Sequence, residues 1–347
     1  MNAPQLLPIP NFYNPEAIEK VWRVPYGERS TQAESWAKQH EIKPAAFDKA
    51  RVCLLLIDVQ NTFCLPEFEL FVAGQSGKGA IEDSARLCEL IYKNLGIVTE
   101  IVPTMDTHAA VQIFHPIFWI NEAGEHPSPA SLISLDEVEG GAWKTNPAIA
   151  PSLTGGDVEA LQNYGYYYVK KLSDEGKYPL TVWPYHSMLG GIGHSLVSAV
   201  EEAIFFHSIA RCSPTRFELK GNNPLTENYS VLRPEVLEDA KGLLKAAKNK
   251  ALIDHLLEFD AVIIAGQAKS HCVAWTIDDL LTEIKAREPK LAGKVYLLDD
   301  CASAVVIPGI VDFTEQAEAS YARFAEAGMH RVNSTDAIAT WPDFPIN

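Results

Sequence analysis

An α/β fold with a mostly parallel central sheet, covered on both sides, is the class this sequence predicts, and three observations predict it. The apolar runs at 52–57 (VCLLLI), 261–265 (AVIIA) and 295–298 are short, branched and unbroken, as strands buried on both faces are. Between them lie stretches with apolar residues at helical spacing. Strand and helix taking turns, with no internal repeat, is the signature of a parallel sheet flanked by helices.

The elements follow in order. Residues 1–50 are rich in proline and aromatics, with one short helix expected at 31–39, and read as an extension wrapped on something larger. The organised part begins at Arg51. After the 52–57 strand comes a helix with Ile81, Leu87, Leu90, Ile91 and Leu95 on one face and Gly96 as its stop. A strand at 97–105 follows, then a helix at 193–206, a strand at 216–219 and helical patterns across 234–257. The 261–265 strand leads into a helix whose stripe is Val273, Ile277, Leu280, Leu281 and Ile284. The 295–298 strand and a helix at 313–327, ended by Gly328, close the series. Residues 117–181, rich in Pro, Gly and Tyr, break the alternation and read as an insertion that serves as a lid or an oligomer contact. The expected division is an N-terminal extension (1–50), one domain at 51–334 interrupted by that insertion, and a tail at 335–347.

Composition narrows the function. The 347 residues carry 29 Lys and Arg against 45 Asp and Glu, a net charge of −16, and are 47% hydrophobic and 21% charged. Such a chain can bury a sizeable core. Without a basic run it offers no footprint for a nucleic-acid backbone or an anionic membrane, so a small-molecule substrate and protein partners remain. The first twenty residues lack a basic start and an apolar stretch, and no run is long enough to span a bilayer, which predicts a cytoplasmic protein. The six cysteines are scattered with no C-x-x-C pair, the usage of buried thiols or one reactive thiol rather than of disulfides.

In open parallel sheets ligands bind outside the carboxyl ends of the strands, so what each strand ends in matters. The first ends in Asp58, the second in Asp106 followed by His108, the strand near 217 in Lys220, and the 261–265 strand runs through Gln267–Ser270 into His271 and Cys272. Cys272 lies between a buried strand and an amphipathic helix, where helix N–H groups favour a thiolate. Cys53 and Cys88 fall inside elements and read as inert; Cys301, which also follows a strand, is the competitor. With Asp58 to take and return a proton, Lys220 to stabilise charge, and backbone N–H groups near Ala268 and Cys272 to hold an oxyanion, the chemistry is acyl transfer. Asp106-x-His108 sets two ligands on one side of an extended segment and suits a metal. His186, in Trp183-Pro184-Tyr185-His186, is the best third ligand, ahead of His115, His194 and His207.

The order Asp58-Val59-Gln60-Asn61-x-Phe63-Cys64, Asp106-x-His108, Trp183-Pro184-x-His186, Lys220-Gly221 and Ser270-His271-Cys272-Val273 resembles the isochorismatase-like cysteine hydrolases, most closely their nicotinamidase branch. The resemblance covers 51–116 and 182–334. It implies a three-layer αβα fold and a triad of Asp58, Lys220 and Cys272. It also implies a Gln267–Ala268 cis peptide with Ala268 and Cys272 N–H groups as the oxyanion hole, Phe63 and Trp183 as aromatic walls of the substrate pocket, and Asp106, His108 and His186 as metal ligands. The implied cofactor is a divalent metal ion, zinc first, with iron or manganese also suited to this donor set. The implied activity is conversion of nicotinamide or a similar small carboxamide to the acid and ammonia through a Cys272 thioester, in a homo-oligomer. After His186 the sequence departs from the branch, running Ser187-Met188-Leu189-Gly190-Gly191-Ile192-Gly193. Another amide, ureide or ring-opened heterocycle is the alternative substrate for the same triad, and a non-catalytic binding or assembly module is the alternative of a different class.

Overall fold

The structure is a computed structural model and describes residues 6–175 and 178–345. The outermost ends of the expected extension and tail, and residues 176–177 of the expected insertion, lie outside the described residues. The chain forms two compact units. The first holds residues up to Met105, Ile192–Glu218 and everything from Lys250 on; the second holds Asp106–Gly191 and Leu219–Asn249.

The six-stranded sheet is made of β1 (Val52–Ile57), β2 (Glu100–Asp106), β3 (Glu218–Lys220), β4 (Ala261–Gly266), β5 (Val295–Leu298) and β6 (His330–Val332), in the order β6-β5-β4-β1-β2-β3. The main helices are α1 (Tyr26–Gln39), α2 (Gly79–Lys93), α3 (Val158–Glu175), α4 (Ser198–Arg211), α5 (Lys250–Leu257), α6 (Ala274–Arg287) and α7 (Thr314–Glu326). The pairings β1–β2, β1–β4, β4–β5 and β5–β6 are all parallel. The order reverses between β1 and β4, which makes the carboxyl ends of those two strands the switch point of the sheet.

Strands β1, β4 and β5 are apolar on both faces because both are covered. Val52, Leu54, Leu56, Ile263, Ala265, Tyr296 and Leu298 share a core cluster with Leu87, Leu90 and Ile91 of α2 and Val200, Ala203 and Ile204 of α4. The alternate residues Cys53, Leu55, Ile57, Val262, Ile264 and Leu297 point the other way and are equally buried. The buried stripes of α6 and α7, with Ile277, Leu280, Ile284, Tyr321 and Phe324, stand outside the first cluster and form the third layer. The expected αβα class is the observed one. Residues 7–48 pack on the α2–α4 side: Ile18 and Ala33 join the core, Phe12 meets Tyr92 and Phe206, and Trp22 exchanges two hydrogen bonds with Ser198.

The second unit has its own core, in which Phe114, Phe118 and Trp119 meet Tyr164, Tyr168 and Leu172 of α3. Two antiparallel pairs of two-residue strands, Trp119–Ile120 with Lys144–Thr145 and Leu132–Ile133 with Leu180–Thr181, complete it. No described helix is long and apolar enough to cross a membrane.

Several expected boundaries move. The helix after β1 stops at Lys93, because Asn94 caps it with both its N–H and its side-chain amide on Leu90 O; Gly96 lies beyond the end. The helix expected at 193–206 runs Ser198–Arg211, its start delayed by the glycine-rich turn at 190–193. Of the helical pattern at 234–257 only Lys250–Leu257 is helix. Upstream, the Asp239 carboxylate accepts from the N–H groups of Lys241 and Leu243, and that local capture competes with a helix. The expected helix at 31–39 begins earlier, at Tyr26. Strand β6 was not expected: three residues are too few for a periodic signal.

Candidate active site and metal centre

In the first unit, β1 and β4 run in register to their last residues, with Ile57 opposite Gly266. The residues that follow, Asp58 and Gln267, therefore leave the sheet side by side at the switch point. Gly266 is required there: its φ is +120°, and a Cβ would sit 2.0 Å from Ile57 O. Asp58 is fully buried with φ +49°. Its N–H donates to Thr104 Oγ1 at 3.1 Å, and the same hydroxyl donates back to Asp58 Oδ1 at 2.5 Å. Thr104, on β2, fixes both the turn and the carboxylate. No spacing rule links residues 46 apart in sequence, so its role was not legible. Phe63, half-buried, lies in the one-turn helix Asn61–Cys64 that follows. That turn is tied to 192–195 by Asn61 N–H to Ser195 O and by the Gln60 and Asn61 side-chain amides to His194 O and Ile192 O.

Cys272 falls in a π-helical turn, Lys269–Val273, that runs directly into α6. It precedes the regular helix by two residues rather than opening it. The turn begins after the Gln267–Ala268 bond, which is cis. Among the six cysteines, Cys272 is partly accessible, Cys212 is exposed and the other four are buried. Burial pushes the Cys301 thiol well above its ordinary range, and likewise Cys53, so the strand-end competitor is an inert core thiol.

In the second unit Asp106, His108 and His186 converge, with one donor atom of each within 4.8 Å of the others. Asp106 ends β2, and His108 continues extended in an isolated parallel bridge to Met188. His108 N–H donates to Ser187 O, and Leu189 N–H donates to His108 O, which draws the segment carrying His186 alongside. The extended segment carrying Asp106 and His108 thus lies beside the one carrying His186. His194 and His207 lie outside the group of three; His207 is buried on α4 with Nε2 against Val98 O.

The donor set fits a metal ion. His108 Nδ1 lies 3.0 Å from Gly221 O and His186 Nδ1 2.7 Å from Pro184 O. A carbonyl only accepts, so each Nδ1 carries the hydrogen, and the neutral ring then turns a bare Nε2 lone pair inward. These two lone pairs face Asp106 Oδ2 at 2.7 and 3.3 Å. Burial pushes the His186 pKa down, against the pull of Asp106. Lone pairs this close repel one another unless a proton or a metal ion lies among them, and backbone carbonyls orienting the imidazoles are the support a metal site needs.

The Lys220 ammonium donates to Asp106 Oδ1 at 2.8 Å and to Asn228 O at 3.0 Å. Burial opposes the charge on Asp106, but a proton on His108 Nε2 and the Lys220 ammonium overcome it and hold the carboxyl well below the ordinary carboxylate range. Gly221 (φ +85°) leaves room for His108, since a Cβ there would come within 2.6 Å of the ring carbon Cε1. Gln112 Nε2 also donates to Gly221 O, at 2.5 Å. His115 stands against both His108 and His186, with ring centroids 5.8 and 5.9 Å away. Its Nδ1 faces Ala110 O, its buried Nε2 has no hydrogen-bond partner, and burial with the neighbouring His186 and His108 pushes its pKa down to about 3. Trp183 donates its indole N–H to Glu227 Oε1 at 2.6 Å. Burial, with Glu235 nearby, pushes the Glu227 carboxyl up to about 8. A buried acid paired with the tryptophan of a W-P-x-H segment was not anticipated, since 44 positions separate the two.

No protein-family profile matches the sequence, and no curated protein matches it. Solved structures do. The chain is similar to a nicotinamidase/pyrazinamidase of Acinetobacter baumanii (TM-score 0.49, 19% identity, 83% of this chain and 99% of that one). It is similar to the pyrazinamidase of Pyrococcus horikoshii in complex with zinc (TM-score 0.44, 17% identity, 82% and 99%). It is also similar to an N-carbamoylsarcosine amidase from Thermoplasma acidophilum (TM-score 0.40, 12% identity, 83% and 98%). At such identities and scores these likenesses carry none of the functional reading, which rests on the side chains.

Proposed function

We propose that the protein is a metal-assisted cysteine amidohydrolase that converts nicotinamide or a similar small carboxamide to the acid and ammonia. What supports this reading is the switch point of the first unit, where a buried, hydrogen-bonded Asp58 and the turn leading to Cys272 leave paired parallel strands. Cys272 is the nucleophile: Asp58 takes the Sγ proton, the thiolate attacks the carboxamide carbon, and the nitrogen leaves as ammonia with the proton from Asp58. Water then cleaves the thioester to the carboxylic acid: its hydroxyl bonds to the acyl carbon as the C–S bond breaks, and its proton passes through Asp58 to the departing Cys272 Sγ, which restores the thiol. The N–H groups of Ala268 and Cys272 stabilise the oxyanion, and the Lys220 ammonium favours the charged carboxylate forms. Phe63 and Trp183 are the proposed aromatic walls. Asp106, His108 and His186 would hold a divalent ion, zinc in the first instance, which when bound supplies an electrophilic anchor for a heteroatom of the substrate.

The test is ammonia release from nicotinamide and a panel of small amides and ureides by the purified, zinc-supplemented protein. Turnover of a carboxamide that drops on the order of a thousandfold or more in Cys272→Ala is the expected result. Undiminished turnover in that variant, or none by the wild type across the panel, overturns the reading.

A further inference from the structure

The residue between β4 and Ala268 is a glutamine with 1% of its surface exposed, in a position where the strand itself is wholly apolar. A buried amide costs stability unless its groups are satisfied. Here they are, on both sides. Gln267 Nε2 donates to Asp83 Oδ2 of helix α2 at 2.9 Å, and Gln267 Oε1 faces Ser303 N–H at 3.4 Å. The Gln267 backbone N–H donates to Ile57 O. With a carboxylate on one side and an N–H donor on the other, the amide has one orientation only.

The partners are themselves held. Asp83 is 3% exposed, and its other oxygen accepts from Arg86 Nη2 at 2.9 Å. Ser303 belongs to a strap after β5 that is stitched to the Cys272 turn: Gly266 N–H to Cys301 O, Lys269 N–H to Ser303 O, and Val305 N–H to Ser270 Oγ. Gly79, at the start of α2, lets Ser303 approach so closely that a Cβ there would lie 2.5 Å from its hydroxyl. Gln267 is thus a polar bridge from α2 to the strap, placed one residue before Ala268.

We propose that Asp83 is a positioning residue that, through the Gln267 amide, sets the orientation of the Gln267–Ala268 peptide and so of the Ala268 N–H used in the reaction. The inference rests on the amidohydrolase reading for its consequence in rate, and on the hydrogen-bond chain alone for its consequence in structure. A hydrophobic residue at 267 would fill the space but leave the peptide plane free to tilt. The carboxylate–amide pair ties that plane to the N-terminal turns of α2.

The experiment is a double-mutant cycle with Asp83→Ala, Gln267→Leu and the double variant, plus Asp83→Asn, which keeps an acceptor for Gln267 Nε2. It has two readouts: kcat and KM on the best carboxamide, and backbone hydrogen exchange of the peptide spanning residues 266–273. Asp83→Ala should lower kcat about tenfold or more with KM within twofold and speed exchange in that peptide. The double variant should be no worse than Gln267→Leu, and Asp83→Asn should recover most of the loss. Additive losses, or unchanged kcat and exchange in a folded Asp83→Ala or Gln267→Leu, overturn the proposal. A wild type inactive on every amide sinks the amidohydrolase reading instead, and the exchange arm still decides the positioning: coupled loosening upholds it, and none overturns it.

Discussion

The two units place chemistry by different means. In the first, Asp58 and the Cys272 turn are where they are because two six-residue parallel strands, buried on both faces, end at the same level. In the second, Asp106, His108 and His186 are held by a single isolated bridge, by the carbonyls of Gly221 and Pro184, and by the Lys220 ammonium. The first site is positioned by an apolar core that resists any local change; the second hangs on a few polar contacts that a single side chain can shift. A lesion at the paired strand ends should show in stability, and one beside His108 in ligand binding.

The largest effect that sharpens this contrast is expected from Gly266→Ala. A methyl group 2.0 Å from Ile57 O cannot be accommodated without parting β1 from β4, and the φ of +120° is hostile to any side chain. A loss of about 3 kcal/mol or more is expected. Urea unfolding measures it, and a wild-type midpoint would show that the paired strand ends are softer than described.

A smaller and differently directed effect is expected from Gly221→Ala. The new methyl presses on the His108 ring, and the positive φ adds about 1–2 kcal/mol of backbone strain. Zinc affinity measured by calorimetry should fall about 10- to 100-fold. Unchanged affinity would mean that His108 does not ligate the ion.

A further effect, seen only in pH dependence, concerns Glu227. Its carboxyl is raised from an ordinary 4.5 to about 8, so the native state holds the proton more tightly than the unfolded chain. The native advantage is full below pH 4.5, declines as pH rises towards 8, and is lost above it. Glu227→Gln, which cannot ionise, should therefore gain in melting temperature relative to wild type as pH rises from 5 to 8, with no further relative gain beyond. A difference independent of pH would break the assignment of a buried neutral acid beside Trp183.

Much of the first unit was legible because its rules are local. The runs 52–57 and 295–298 are the observed strands to the residue, and the stripe of Ile277, Leu280, Leu281 and Ile284 is the buried face of α6. Legibility failed where a side chain diverted the backbone, at Asn94, at Asp239 and in the glycine turn before α4. In the candidate site, Asp106-x-His108 and His186 were readable as ligand types at plausible spacing. Thr104, Glu227 and Asp83 were not, since each acts on a partner brought to it across many intervening residues.

The sequence by itself determined the class of fold, the strand-end positions of Asp58, Asp106 and Lys220, and the inventory of candidate metal-binding side chains, because period, burial and turn chemistry are properties of neighbours along the chain. Only the tertiary structure decided which imidazole nitrogen faces the carboxylate, which thiols are inert and what holds the Gln267 amide. Those depend on lone pairs and hydrogens meeting across tens or hundreds of residues, where packing rather than propensity sets the geometry.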